Sequence, residues 1–196
     1  ASGQLLSLQP ISTWQEDGLL SVNPQIGCHT LTGVGAGLRC TFGLPQMRLT
    51  SGRWYYEVEI QADLEGAPLQ IGWANSAFAL PSDQSELEPQ QRRGVGDCSN
   101  SWGFDGSRGL RFHNHEDDPA LPNAGTLGPR RWKRGDVVSV ILMLPDKPGE
   151  QGHLSCLVNN TSLHGDVFTI EYADVGDGMF PAVSFALAPP SQHAIE

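Results

Sequence analysis

Thirteen consecutive positions constrain this fold more than any other stretch of the chain. From Gly94 to Gly106 the sequence reads Gly-Val-Gly-Asp-Cys-Ser-Asn-Ser-Trp-Gly-Phe-Asp-Gly, with four glycines, two aromatics, two aspartates and no lysine or arginine. Glycine at that density lets the backbone take positive φ or pass close against another strand. Trp102 and Phe104, two apart, fall on one face of an extended segment, and Asp97 and Asp105 sit where the chain turns. The stretch reads as a short strand between tight turns, its two aromatic side chains set into a core.

The flanking sequence repeats the β signal. In Trp54-Tyr55-Tyr56-Glu57-Val58-Glu59-Ile60, the residues Trp54, Tyr56, Val58 and Ile60 take a core face and Tyr55, Glu57 and Glu59 a solvent face. Leu69 to Ala74 repeats the pattern more weakly. Val137 to Leu144 is the longest apolar run and is expected to be a central strand covered on both faces. Asn159-Asn160 between Leu154–Val158 and Thr161–Leu163 reads as a hairpin turn, since asparagine tolerates left-handed φ. Val167 to Ile170 and Phe180 to Leu187 supply the last strands. No stretch carries a helical period beyond a turn or two. With 23 glycines and 14 prolines punctuating apolar runs in 196 residues, the expectation is an all-β protein, one domain over 1–196. Its core spans about 38–187, preceded by N-terminal strands and loops in 1–37.

Charge narrows the function. A net charge of −10 argues against nucleic acid and against docking on anionic membrane, both of which need positive potential. No apolar run approaches the ~18 residues of a membrane span. Cys28, Cys40, Cys98 and Cys156 form no C-x-x-C pair and read as separate thiols, and no basic segment precedes Leu5-Leu6 as in a signal peptide. A cytoplasmic location is the expectation.

The motifs that could carry chemistry are weak. Gly33-Val34-Gly35-Ala36-Gly37 has the composition of a phosphate loop, but no lysine follows and Leu38 to Phe42 reads as a strand, so a glycine-rich hairpin is expected. His113-Asn114-His115-Glu116-Asp117-Asp118 is the one cluster of metal-ligand types, and a solvated acidic loop is the plainer reading. Cys98 beside Asp97 lacks the histidine and orienting acid that nucleophilic catalysis needs. No catalytic residue, metal or cofactor is therefore expected. Arg130-Arg131-Trp132-Lys133-Arg134 is a basic turn in an acidic chain, and Asn159-Asn160-Thr161-Ser162 holds two overlapping sequons that matter only in a secreted protein. A lectin-like reading would set Trp102 and Asn100 against sugar.

Taken in order, Ser51 to Val58, Ile71-Gly72-Trp73-Ala74, Gly94 to Gly106, Trp132 to Leu144, Leu154 to Leu163 and Phe180-Pro181-Ala182-Val183-Ser184 resemble the SPRY family over roughly Leu38 to Leu187. The resemblance implies a bent antiparallel β-sandwich of concanavalin-like type, non-enzymatic and used to bind a protein or peptide. Ile71 to Ala74 and Gly94 to Asp97 look most similar to SPRY domains of large cytosolic ubiquitin ligases and of ryanodine receptors. The implied role is therefore partner or substrate recognition within a larger polypeptide, with structural packing in a channel as the alternative. The chain departs from the family pattern in carrying Asn159-Asn160 where Asn-Gly is common, and in lacking the aspartate often found in the strand ending Leu142-Met143-Leu144.

In peptide-binding SPRY relatives the ligand is held by the loops before the Ser-Trp-Gly segment and after the Pro-x-Val-Ser strand. Carried onto this sequence, those positions are Gln91, Arg92, Arg93 and Gly94, and Ala186, Leu187 and Ala188. The tyrosine and tryptophan that such relatives present are absent, with Gln91 and Leu187 roughly in their places. Long polar loops at Thr30 to Gly37, holding Gly33 and Gly35, at Pro81 to Arg93 and at His115 to Arg131 complete the expected binding face.

Overall fold

Alternating apolar and polar positions become strands packed in two main sheets in a computed structural model that describes residues 9–14, 19–25, 28–34, 39–61, 68–78, 94–107, 109–114, 125–126 and 131–186. Strands β1 (Gln9–Trp14), β4 (Arg39–Gly43), β6 (Leu69–Asn75), β7 (Ser101–Asp105), β8 (Leu110–His113), β9 (Gly125–Thr126) and β13 (Met179–Ala186) form one antiparallel sheet in the order β1-β4-β13-β6-β7-β8-β9. Strands β5 (Arg53–Glu59), β10 (Val137–Met143), β11 (Gln151–Val158) and β12 (Thr161–Glu171) form the second, ordered β12-β11-β10-β5. A separate ribbon pairs β2 (Leu19–Gln25) with β3 (Cys28–Val34), and one short helix, α1 (Tyr172–Val175), precedes β13.

The two sheets meet face to face. Cross-strand register lines up Phe42, Val183, Ile71 and Phe104 on β4, β13, β6 and β7, a row of apolar side chains across four strands. Val138, Val140 and Leu142 of β10, Leu154, Cys156 and Val158 of β11, and Ile170 of β12 complete the core together with Trp73 and Trp102. Each large apolar side chain buried this fully contributes about 1.5–3 kcal/mol, so this contact dominates the stability of the sandwich.

Tyr56 ties the layers with a polar contact. Its hydroxyl leaves β5, crosses the interface and donates to the Gly72 carbonyl at 2.6 Å and the Ala182 carbonyl at 3.2 Å.

Several expectations change on contact with the structure. The longest apolar run is an interior strand but is not covered on both faces: Val138, Val140 and Leu142 are fully buried, whereas Ile141 between them is 37% exposed. On that outward side Val137 and Met143 are half-buried and Ser139 is enclosed, so the run has one fully buried face and one partly covered face. Strands β6 and β7, less apolar in sequence, are the ones buried throughout. Their second face is covered by the chain from Gly94 to Asn100, which packs Val95 and Cys98 against Ala74, Phe78, Phe180 and Ala182.

The parity read for Trp54 to Ile60 holds, yet Trp54 on the core-facing side is 40% exposed, since no described strand flanks β5 on its far side. Gly33 and Val34 lie in β3, paired with Leu20 and Leu19, and not in a hairpin loop. The alternation of Thr30, Leu31 and Thr32 extends the ladder through the first glycine. Within the stretch read as a loop from His115 to Arg131, Gly125–Thr126 pairs with β8. The Asn159-Asn160 hairpin forms as expected, with φ of 51° and 60°, both in the left-handed region that a two-residue turn of this hand requires.

Candidate functional site

The outer face of the seven-stranded sheet carries a row of polar side chains, which is unusual for a buried surface. Thr41, Ser184, Gln70 and Asp105 stand opposite one another on β4, β13, β6 and β7. All four are at most 1% exposed. Burial of such groups is tolerated because each finds hydrogen bonds. Thr41 Oγ1 and Ser184 Oγ are 2.7 Å apart, Val95 N donates to Ser184 Oγ at 2.9 Å, and Asp105 Oδ1 accepts from Ser107 N at 2.9 Å and Ser107 Oγ at 2.6 Å. Gln70 Nε2 donates to both carboxylate oxygens of Asp97, at 3.1 and 3.2 Å, and Gly94 N donates to Asp97 Oδ2 at 2.7 Å.

The Gly94 to Asn100 segment is thus clasped onto the sheet by Asp97 and Ser184. Glycine is required for this approach: a Cβ on Gly94 would lie 2.2 Å from Gln70 Oε1 and 2.7 Å from Ser184, and one on Gly103 would lie 2.2 Å from the Val95 carbonyl. Farther along, Gly96 N donates to Ser101 Oγ at 2.8 Å, and Cys98 Sγ lies 3.3 Å from the same oxygen.

At the opposite end of β6, Asn75 joins three turns. Its Nδ2 donates to the Asp174 carbonyl at 2.9 Å and to Asn100 Oδ1 at 3.3 Å, while its Oδ1 accepts from Ala77 N at 3.0 Å. Nearby, the His113 ring stacks on Trp102 with centroids 4.6 Å apart and planes 7° from parallel, and its Nδ1 is 3.0 Å from the Ser101 carbonyl. A carbonyl only accepts, so Nδ1 carries a proton. Burial lowers the His113 pKa from its ordinary value, with the Ser101 bond and the charge of Asp174 opposing that shift. His113 is therefore a packed ring in place of the candidate metal ligand, and no group of three His, Cys, Asp or Glu side chains suited to a metal occurs among the described residues.

Of the sequence-derived binding positions, Gly94, Ala186 and Gly33 lie among the described residues. Gly94 contacts Ser184, two residues before Ala186, where β13 ends in register with Arg39. Gln91, Arg92, Arg93, Leu187, Ala188 and Gly35 lie outside the described residues, and Gly33 lies within β3. Trp102 is 1% exposed and offers no face to a sugar. Trp132 is buried against Gly106 between exposed Arg131 and exposed Lys133 and Arg134, and Asp136 Oδ2 caps that turn by accepting from Lys133 N at 2.9 Å. The Asp97 and Ser184 clasp escaped the sequence reading; its signal was small or polar residues alternating with apolar ones through Pro181 to Phe185.

Two packed antiparallel sheets, one with a glycine-rich segment clasped across its outer face, define a β-sandwich in which described polar groups serve packing and positioning. The model of the SPRY domain family matches residues 53–194, and the chain belongs to that family. SPRY domains are in general protein–protein interaction modules without catalytic function. Among solved structures, the SPRY domain of human HERC1 is similar at 14% identity, with 80% of this chain and 86% of that chain covered and a TM-score of 0.48. A second human SPRY domain is 11% identical, covering 76% and 86% with a TM-score of 0.36. The metal-free lectin I-B4 from Griffonia simplicifolia is 10% identical, covering 95% and 86% with a TM-score of 0.36.

Proposed function

We propose that this chain is the recognition domain of a larger cytoplasmic polypeptide, a ubiquitin ligase by its resemblance to SPRY domains of that setting, and that it selects the ligase's protein substrates. The partner is held by Gln91, Arg92, Arg93 and Gly94 together with Ala186, Leu187 and Ala188. The observation that carries this reading is the clasp: Val95 N on Ser184 Oγ and Gly94 N on Asp97 Oδ2 hold the attachment points of both segments against one rigid sheet. Such a scaffold limits the entropy lost when neighbouring loops close on a ligand.

The test is capture of partners from cells by the full-length parent protein, followed by ubiquitination of what is captured. Replacing Gln91, Arg92, Arg93 and Leu187 with alanine removes the captured partners and their modification, while Tyr172→Ala, on exposed α1, retains both. Equal capture by the two variants rejects the assigned face. Unchanged modification despite lost capture rejects the ligase role.

A further inference from the structure

Among the described strands the four-stranded sheet ends at β5, and its hydrogen bonding shows which groups the edge offers. Ile60 N donates to the Asp136 carbonyl at 2.9 Å, and Leu144 N donates to the Gly52 carbonyl at 2.9 Å. These bonds bracket a ladder in which Trp54, Tyr56 and Val58 stand opposite Leu142, Val140 and Val138 without a register shift. Successive residues of an antiparallel strand direct their N–H and C=O groups to opposite sides. Gly52 and Ile60 point theirs at β10, so Trp54, Tyr56 and Val58 do the same. Arg53, Tyr55, Glu57 and Glu59 direct theirs to the other side, where no described strand pairs with β5.

Exposed edges are commonly blunted by charged side chains, proline, a bulge or short length, and of these the strand itself carries only the charges of Arg53, Glu57 and Glu59. β5 runs seven residues with no proline and no lysine. Its core-facing side chains are incompletely covered, Trp54 at 40% exposed, while Tyr55 at 71% and the exposed Glu57 and Glu59 line the outward side. Ser139 Oγ bonds Glu57 Oε1 at 2.9 Å, which fixes one carboxylate in place.

We propose that the β5 edge takes an extended peptide as a fifth strand of this sheet. Backbone bonds to Arg53, Tyr55, Glu57 and Glu59 supply the pairing, as in strand addition generally. Alternation then defines the ligand: apolar side chains at every second position cover Trp54 and Val58, and basic side chains between them face Glu57 and Glu59. This site is separate from the loops at Gly94 and Ala186, and its test does not depend on them.

The experiment is residue-resolved amide exchange on the full chain with two capped synthetic seven-residue peptides, one alternating valine and lysine and the other valine and glutamate. In the free chain the Tyr55, Glu57 and Glu59 amides exchange at least about tenfold faster than those of Tyr56 and Val58. The lysine peptide slows the first set by about tenfold or more and leaves the second set unchanged, and the glutamate peptide does not. Reversing both charges, Glu57→Lys with Glu59→Lys, weakens the lysine peptide by about tenfold, while Glu57→Gln with Glu59→Gln, which keeps an acceptor for Ser139, weakens it less and leaves the chain folded. Edge amides already protected in the free chain would mean that the chain's own residues occupy the site, and would overturn the proposal. Equal protection by both peptides, or by neither, would overturn it as well.

Discussion

Removing one oxygen atom tests how the two sheets are tied. In Tyr56→Phe the ring stays in place against Trp73, whose centroid lies 5.5 Å away, but the Gly72 and Ala182 carbonyls lose their shared donor. A net contribution of about 1 kcal/mol for the 2.6 Å bond and less for the 3.2 Å one gives a loss of about 1–2 kcal/mol at neutral pH. For a domain of this size that is a fall of about 2–8 °C in melting temperature.

The same hydroxyl makes a second prediction with a definite sign. Burial raises the Tyr56 pKa well above its ordinary value of 10.0, so the folded chain keeps a proton that the unfolded chain releases. Stability from this group is complete below pH 10 and declines above it, by about 1.4 kcal/mol per pH unit until the folded phenol itself ionises. The variant lacks that slope. The gap between the two proteins, measured by calorimetry from pH 7 to pH 11, should hold up to about pH 10 and close within roughly one further unit. A parallel decline of both proteins, or no gap at pH 7, would refute the role assigned to the hydroxyl.

Three further outcomes are expected. Gly103→Ala sets a methyl against the Val95 carbonyl and should cost about 1–3 kcal/mol by urea denaturation, with partner capture lost in parallel as the clasped segment is displaced. At the hairpin, Asn160→Gly should be neutral or stabilising by up to about 1 kcal/mol because its φ of 60° suits glycine. Asn159→Gly should instead destabilise by about 1–2 kcal/mol, since Asn159 Oδ1 accepts from Val137 N and its Nδ2 donates to Asp136 Oδ1, both at 2.9 Å. His113 should titrate below 6.5 by NMR; with its folded pKa depressed, its contribution is present above pH 6.5 and lost as pH falls through the folded value, so chemical stability should decline there more in the parent than in His113→Gln.

Strand parity was readable because it needs only neighbouring residues. The Trp54 to Ile60 alternation, the Asn159-Asn160 turn and the burial of Trp102 with Phe104 all follow from local pattern. Coverage was harder to read. Whether a second face is buried depends on what arrives from elsewhere in the chain, and the apolarity of Val137 to Leu144 gave no sign that Ile141 would remain exposed while Gln70 and Ser184 were enclosed. Gly33 shows the same limit from the other side, since a glycine-rich composition did not reveal that β2 would pair with it. Of the proposed binding positions, sequence order supplied Gly94 and Ala186; that the segment after Gly94 would be held on β13 through Ser184 is a long-range relation that spacing does not encode.

The clasp also separates two design problems that most binding loops combine. Phe78 N bonds the Asn75 carbonyl at 3.0 Å before the 79–93 segment, and Gly94 N bonds Asp97 after it. Departure and return are therefore set by residues outside the segment. Foreign sequences of differing length inserted between those two anchors would inherit fixed endpoints, which makes this sandwich a host for grafted recognition loops and a starting point for binder libraries.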